Sequence, residues 1–144
     1  AIIKTATPEQ KSELTMMKFK LLFESEEFDA AAKALLAISA DKNIDGDSIN
    51  QLTWQIYEAA KNDAQFPMVL IDAAAKATEN ALVASPKSGM ILDTLAHLVH
   101  YQGKLDRAIE LQTQAAENSS DFSEEGKTEI LAFLKELKKE KTNK

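Results

Sequence analysis

The sequence predicts an all-α fold: about seven helices, the first six paired into three stacked hairpins and the seventh closing the stack, in a single domain of residues 1–144. Three observations predict it. Apolar residues recur three and four apart through most of the chain, the spacing that lines one face of an α-helix. Only 4 Gly and 3 Pro occur, around an alanine-rich middle, a composition on the helical side of average. The helical segments also repeat along the chain, as the units of a stacked array do.

Pro8 opens the first helix, which runs to about residue 24 with an apolar stripe of Leu14, Met17, Leu21 and Leu22. A very short turn leads into the second, carrying Phe28, Ala31, Ala32, Leu35 and Ile38. The polar stretch Asp41 to Asp47 separates this pair from a third helix near 48–62. A fourth runs from about Pro67 to Ala84, with Pro at its start and Pro86 just beyond its end. Pro86 also opens the fifth, which carries Ile91, Leu92, Leu95, Ala96 and Val99 to about Gln102, where Gly103 breaks the chain. The sixth, 105–118, buries Leu105, Ala108, Ile109, Leu111 and Ala115. The seventh, from about Ser123 to Lys139, carries Ile130, Leu131, Leu134 and Leu137. Its apolar side would cover the open end of the last hairpin, as the terminal unit of a repeat array requires. The basic tail "KELKKEKTNK" then reads as the solvated end of that cap rather than as a lipid or nucleic-acid site.

Setting "SINQLTWQIYE" over "MILDTLAHLVHY" with a shift of 43 places Ile49, Asn50, Leu52, Thr53 and Ile56 on Leu92, Asp93, Leu95, Ala96 and Val99. The second helices align at a shift of 34, with Ala74, Ala81 and Pro86 over Ala108, Ala115 and Ser120. The nine-residue difference predicts an insertion in the middle hairpin, around Lys61 to Phe66. A fainter copy opens the chain, with Glu26, Phe28, Ala31 and Leu35 in the places of Gly103, Leu105, Ala108 and Gln112. The hairpins are therefore expected at about 8–40, 47–85 and 86–120, and the closing helix at about 123–140.

A net charge of −6 argues against a nucleic-acid partner, because binding phosphates requires a basic patch. With no Cys there is no disulfide, thiolate metal site or thiol catalysis in this chain, and the redox compartment is unread. The longest apolar stretch, Phe66 to Ala75, is broken by Asp72 and falls well short of the about 20 residues of a membrane-spanning helix, so no membrane partner is expected. The chain begins at Ala1 without Met and without a basic-then-apolar leader, as expected of a processed chain or, the favoured reading, of a piece excised from something longer.

"ILDTLAHLVHYQGKLDRAIELQTQAAE", Ile91 to Glu117, resembles a tetratricopeptide repeat: a small or apolar stripe on the first helix, Gly at the turn, and alanines where the second helix packs closely. The resemblance covers 87–120 well, 46–86 less well and 9–40 faintly; Gln112 stands where an aromatic is expected. It implies a right-handed stack whose first helices line a concave groove for a peptide or protein. On that geometry the groove carries Asn50, Trp54, Tyr57 and Glu58 from the middle hairpin and Asp93, His97, His100 and Tyr101 from the next, with Lys20 and Phe23 added by the opening one. The surface lacks the Lys, Arg and Asn set with which some members clamp a C-terminal carboxylate, so an extended peptide with apolar or basic side chains fits better. The competing reading packs Trp54 and Tyr57 against a neighbouring helix. The same phrases, with "NQLTWQIYE", also resemble the helical region that follows a thioredoxin-like domain in some bacterial exported proteins. That resemblance implies a periplasmic or exported location, with the redox cysteines outside this chain.

"DKNIDGDSINQL", 41–52, offers the first half of a calcium loop in Asp41, Asn43, Asp45, Gly46 and Asp47, but Leu52 stands where the closing bidentate Glu belongs. Ile49 and Leu52 are also claimed by the repeat as core. The stretch therefore reads as a turn with a helix cap, Asp47 or Ser48 accepting from the first turn and Gln51 completing a capping box with Ser48; weak calcium binding is the alternative. His97 and His100 with Asp93 could offer two imidazoles and a carboxylate to zinc, but without a further ligand this is a weak motif. No Ser-His-Asp order or Gly-rich phosphate loop is present, so neither an enzyme nor a cofactor is expected. The expected function is a protein- or peptide-binding module; a structural spacer or dimerisation element without a groove ligand is the alternative.

Overall fold

Side-chain caps open every other helix of the chain. The computed structural model describes residues 5–143 and, among them, seven α-helices and no strand: α1 Pro8–Glu24, α2 Phe28–Ala40, α3 Gly46–Ala60, α4 Met68–Ala84, α5 Gly89–Tyr101, α6 Leu105–Glu117 and α7 Glu124–Thr142. Thr7 caps α1 in a reciprocal box with Gln10, and Asp45, Ser88 and Ser123 accept from Ser48, Ile91 and Gly126 at the starts of α3, α5 and α7. These side chains satisfy N–H groups that have no partner within the helix. α2, α4 and α6 have no side-chain cap.

Two of the turns are alike in detail. At α1–α2 the Glu26 and Glu27 N–H groups donate to Phe23 and Leu22; at α5–α6 those of Gly103 and Lys104 donate to His100 and Val99. Glu26 (φ 59°) and Gly103 (φ 85°) both adopt the left-handed conformation this helix ending requires. The sequence alignment pairs these two positions, one filled by the residue suited to it and one not.

α1 packs on α2, α2 on α4, α4 on α3 and α5, α3 on α5, α5 on α6, and α6 on α7. A hydrophobic cluster runs from Phe19 on α1 to Leu137 on α7. Close approach of α2 and α4 rests on alanines: Ala31 and Ala32 on one, Ala73, Ala74 and Ala77 on the other, all buried. These belong to an identical phrase, "DAAAKA", at 29–34 and again at 72–77, 43 residues on. No helix among the described residues is long and apolar enough to cross a membrane.

Several expectations are corrected. The stripe Leu14, Met17 and Leu21 does not enter the core: these residues are 44, 58 and 62% exposed, while Ser12 and Phe19 on the opposite face are buried. On α7, Ile130, Leu134 and Leu137 are buried but Leu131 faces out at 57% exposure. The cap of α3 is Asp45, not Asp47 or Ser48, so the helix starts at Gly46 and ends at Ala60. The extra residues of the middle hairpin are not confined to its loop. They are shared between a longer connection, 61–67 against 102–104, and longer helices, 15 and 17 residues against 13 and 13.

In the 41–47 turn, Asp41 accepts from the Asn43 backbone N–H and the Ser12 hydroxyl, and Asp45 from the Ser48 N–H. Those hydrogen bonds hold both carboxyls below the usual range, backbone donors first. Leu52, at the closing position of the would-be calcium loop, is a core residue at 3% exposure.

Candidate functional site

Asn50, Trp54, Tyr57 and Glu58 stand at i, i+4, i+7 and i+8 on α3, and Asp93, His97, His100 and Tyr101 repeat that spacing on α5. Positions so spaced share one helix face. Because α3 and α5 pack side by side, the two sets meet. Trp54 and Tyr57 lie with ring centroids 5.2 Å apart, tilted by 33°, and both meet the His97 ring in edge-to-face geometry, at 5.2 and 4.9 Å. A fourth ring, Phe133 of α7, stacks on His97 at 3.8 Å and 13° and meets His100 edge-on at 5.8 Å. The result is a row of rings, all half-buried, that crosses three helices.

His97 is fixed from below. Its Nδ1 lies 2.8 Å from the Asp93 carbonyl oxygen, which can only accept, so Nδ1 carries a proton and donates. Burial pushes the His97 pKa down; the Asp93 carboxylate, 3.7 Å from Nδ1, opposes that shift without cancelling it. The ring is held neutral because a cation under Phe133 would lose hydration. Burial raises the Tyr57 pKa, and Glu58, Asp93 and Glu136 add to the rise. Asp93 is itself held by buried Gln112, whose Nε2 donates to Asp93 Oδ1 at 2.8 Å and to the Ile130 carbonyl at 3.1 Å, tying α5, α6 and α7 together.

Not every expected residue joins the row. Asn50 is 5% exposed and belongs to the buried surface; its Oδ1 has no partner among the described residues. Glu58 is exposed at the rim and pairs with Lys61 at 2.6 Å. His100 Nε2 contacts Glu140 at 2.8 Å. Tyr101 turns aside, its hydroxyl donating to the Asp63 carbonyl at 2.8 Å, where it anchors the 61–67 connection. Phe23 belongs to a separate chain of rings with Phe19, Phe28 and Phe66, and Lys20 is exposed. Both leave the candidate site. The two histidines point to different partners, and no group of three or more metal-ligating side chains stands together among the described residues.

Sequence reasoning missed Phe133 and Gln112. Phe133 sits one position beside the Ile130, Leu134 and Leu137 stripe, and an aromatic at the edge of an amphipathic helix was the signal available. A recess of about 640 Å³ between α2 and α4 is lined by Ala32, Leu36, Val69 and Ala73 with Asp29, Lys33, Asp72 and Lys76 around them, and contains none of the expected site residues. A comparison with protein-family models finds no match, and a comparison with curated proteins finds no significant similarity.

Proposed function

We propose that this chain is a protein- or peptide-binding helical-repeat module of the tetratricopeptide kind, and that it binds through the ring row of α3, α5 and α7. The observation that carries the reading is the part-exposed row of Trp54, Tyr57, His97 and Phe133. Rings held rigidly by their neighbours offer large contact area at low entropic cost, which is why aromatics dominate binding hot spots. The like turns at Glu26 and Gly103, and the 43-residue recurrence of "DAAAKA", support the repeat. A binding role rather than a catalytic one is supported by the two imidazoles, each already committed to a partner within the chain.

Selection of a displayed random-peptide library against the domain tests this. Winning peptides should shift Trp54 emission and lose affinity for a Trp54→Ala domain whose helix content is unchanged. Winners that bind Trp54→Ala and wild type alike would refute the site. One observation favours the dimerisation alternative: the exposed stripe Leu14, Met17 and Leu21 on α1. A dimer in sedimentation that Leu21→Lys dissolves, with no peptide selected at the row, would establish that reading instead.

A further inference from the structure

The ring row carries a charge pattern that narrows what it can bind. One acid from each of its three helices acts on Tyr57: Glu58 from α3, Asp93 from α5 and Glu136 from α7. Lys61 offsets Glu58 at 2.6 Å, but burial favours neutral His97 beside Asp93, and neither Asp93 nor Glu136 pairs with a lysine or arginine among the described residues. Two ring faces tilted by 33° with centroids 5.2 Å apart can both lie within reach of one cation, and ring faces are the negative ends of their quadrupoles. An acidic segment would be repelled here, and a purely apolar one would strip water from Glu136 without replacing it.

We propose that the row of Trp54, Tyr57 and Phe133, ringed by Glu58, Asp93 and Glu136, receives a cationic side chain, arginine or lysine, of the bound segment. This rests on the binding reading above and names the chemistry of its ligand. Acids set around the rings would attract a cation before contact and favour it over a neutral group at contact.

The test uses small probes on the ¹⁵N-labelled chain: N-acetylarginine amide, N-acetyllysine amide, and N-acetylcitrulline amide as the neutral isostere of arginine. The Trp54 indole N–H resonance is followed in 50 mM and 300 mM NaCl. At least one cationic amide should shift that resonance saturably, about fivefold more tightly than citrulline, with the advantage shrinking at the higher salt. Glu136→Gln, at an exposed position, should reduce the cation's affinity by roughly threefold and leave citrulline unchanged. The arginine and lysine arms identify which cation is preferred. Equal affinity for citrulline, no response from either cation, or indifference to Glu136→Gln would each overturn the proposal. The binding reading is judged separately by the selected peptides: winners without Arg or Lys that still bind at Trp54 would leave it standing while this inference falls.

Discussion

Replacing Trp54 by Ala measures how the row is built as well as what it binds. The indole is half-buried and meets two rings, Tyr57 and His97, each at 5.2 Å. Aromatic pairs contribute about 0.5–1.5 kcal/mol each beyond area burial, so the two ring contacts alone add roughly 1–3 kcal/mol to the cost of Trp54→Ala, on top of the buried part of the indole. The part left in solvent keeps the loss below that of a fully packed tryptophan. Two residues earlier, Leu52 is 3% exposed in the core, and Leu52→Ala should cost about 2–5 kcal/mol. The two changes lie two residues apart, within one turn of the same helix, so the helical context is the same for both. Urea unfolding followed by far-ultraviolet circular dichroism gives both numbers without needing the tryptophan. Trp54→Ala should be the milder change, retain native helix content and abolish the Trp54-dependent peptide response. A loss equal to or greater than that of Leu52→Ala would show the indole to be core, and the row would cease to be a candidate binding surface.

Three further outcomes are expected. A Cβ on Gly89 would lie 2.4 Å from the Asn118 carbonyl oxygen, whereas at Gly46, its counterpart 43 residues earlier, the nearest atom is Ile91 Cδ1 at 3.4 Å; calorimetry should show Gly89→Ala losing about 1–3 kcal/mol and Gly46→Ala changing by less than about 1 kcal/mol. Glu26→Gly should stabilise and Gly103→Ala destabilise, each by about 1 kcal/mol in urea, because both positions are left-handed and the space around Gly103 is open, leaving backbone conformation as the cause. The depressed His97 pKa means the unfolded chain takes up the proton first, so its contribution is fully present above about pH 6.5 and is lost as pH falls through the folded value. Unfolding curves between pH 7.5 and 5 should show that loss, well above the window near pH 4 and below in which Asp41 and Asp45 act in the same sense. In Phe133→Ala the His97 titration, read by NMR, should move back toward 6.5.

The helices were legible because their ends are chemically marked. Thr7, Ser88, Ser123, Gly103 and the prolines fall where apolar periodicity stops, and both kinds of signal agree. α1 defeated the periodicity argument because it has two apolar faces. Leu14, Met17 and Leu21 lie on one, Met16, Phe19 and Phe23 on the other, and spacing alone does not say which turns inward. α2 decides it, since Phe28 meets Phe23 there. The α3 cap was misplaced by two or three residues because Asp45, Asp47 and Ser48 all carry cap chemistry; the hydrogen bond from Ser48 N–H to Asp45 settles it. Within the site, repeat spacing brought Trp54, Tyr57 and His97 to one face, but spacing describes helix faces and not exposure. It therefore placed Asn50 in a groove when packing buries it, and it gave no account of Phe133, which enters from a helix outside the repeat alignment.

That late arrival of Phe133 has a consequence for how the protein is made. Trp54 and Phe133 are 79 residues apart in the chain. At synthesis rates of roughly 5–20 residues per second, the ribosome joins Trp54 to the chain about 4–16 seconds before it reaches Phe133. Throughout that interval His97, once made, lacks the ring that covers it, and Glu136 does not yet exist. A nascent chain can therefore hold a folded first hairpin while the ring row is still incomplete, and the row is completed only when the last helix docks.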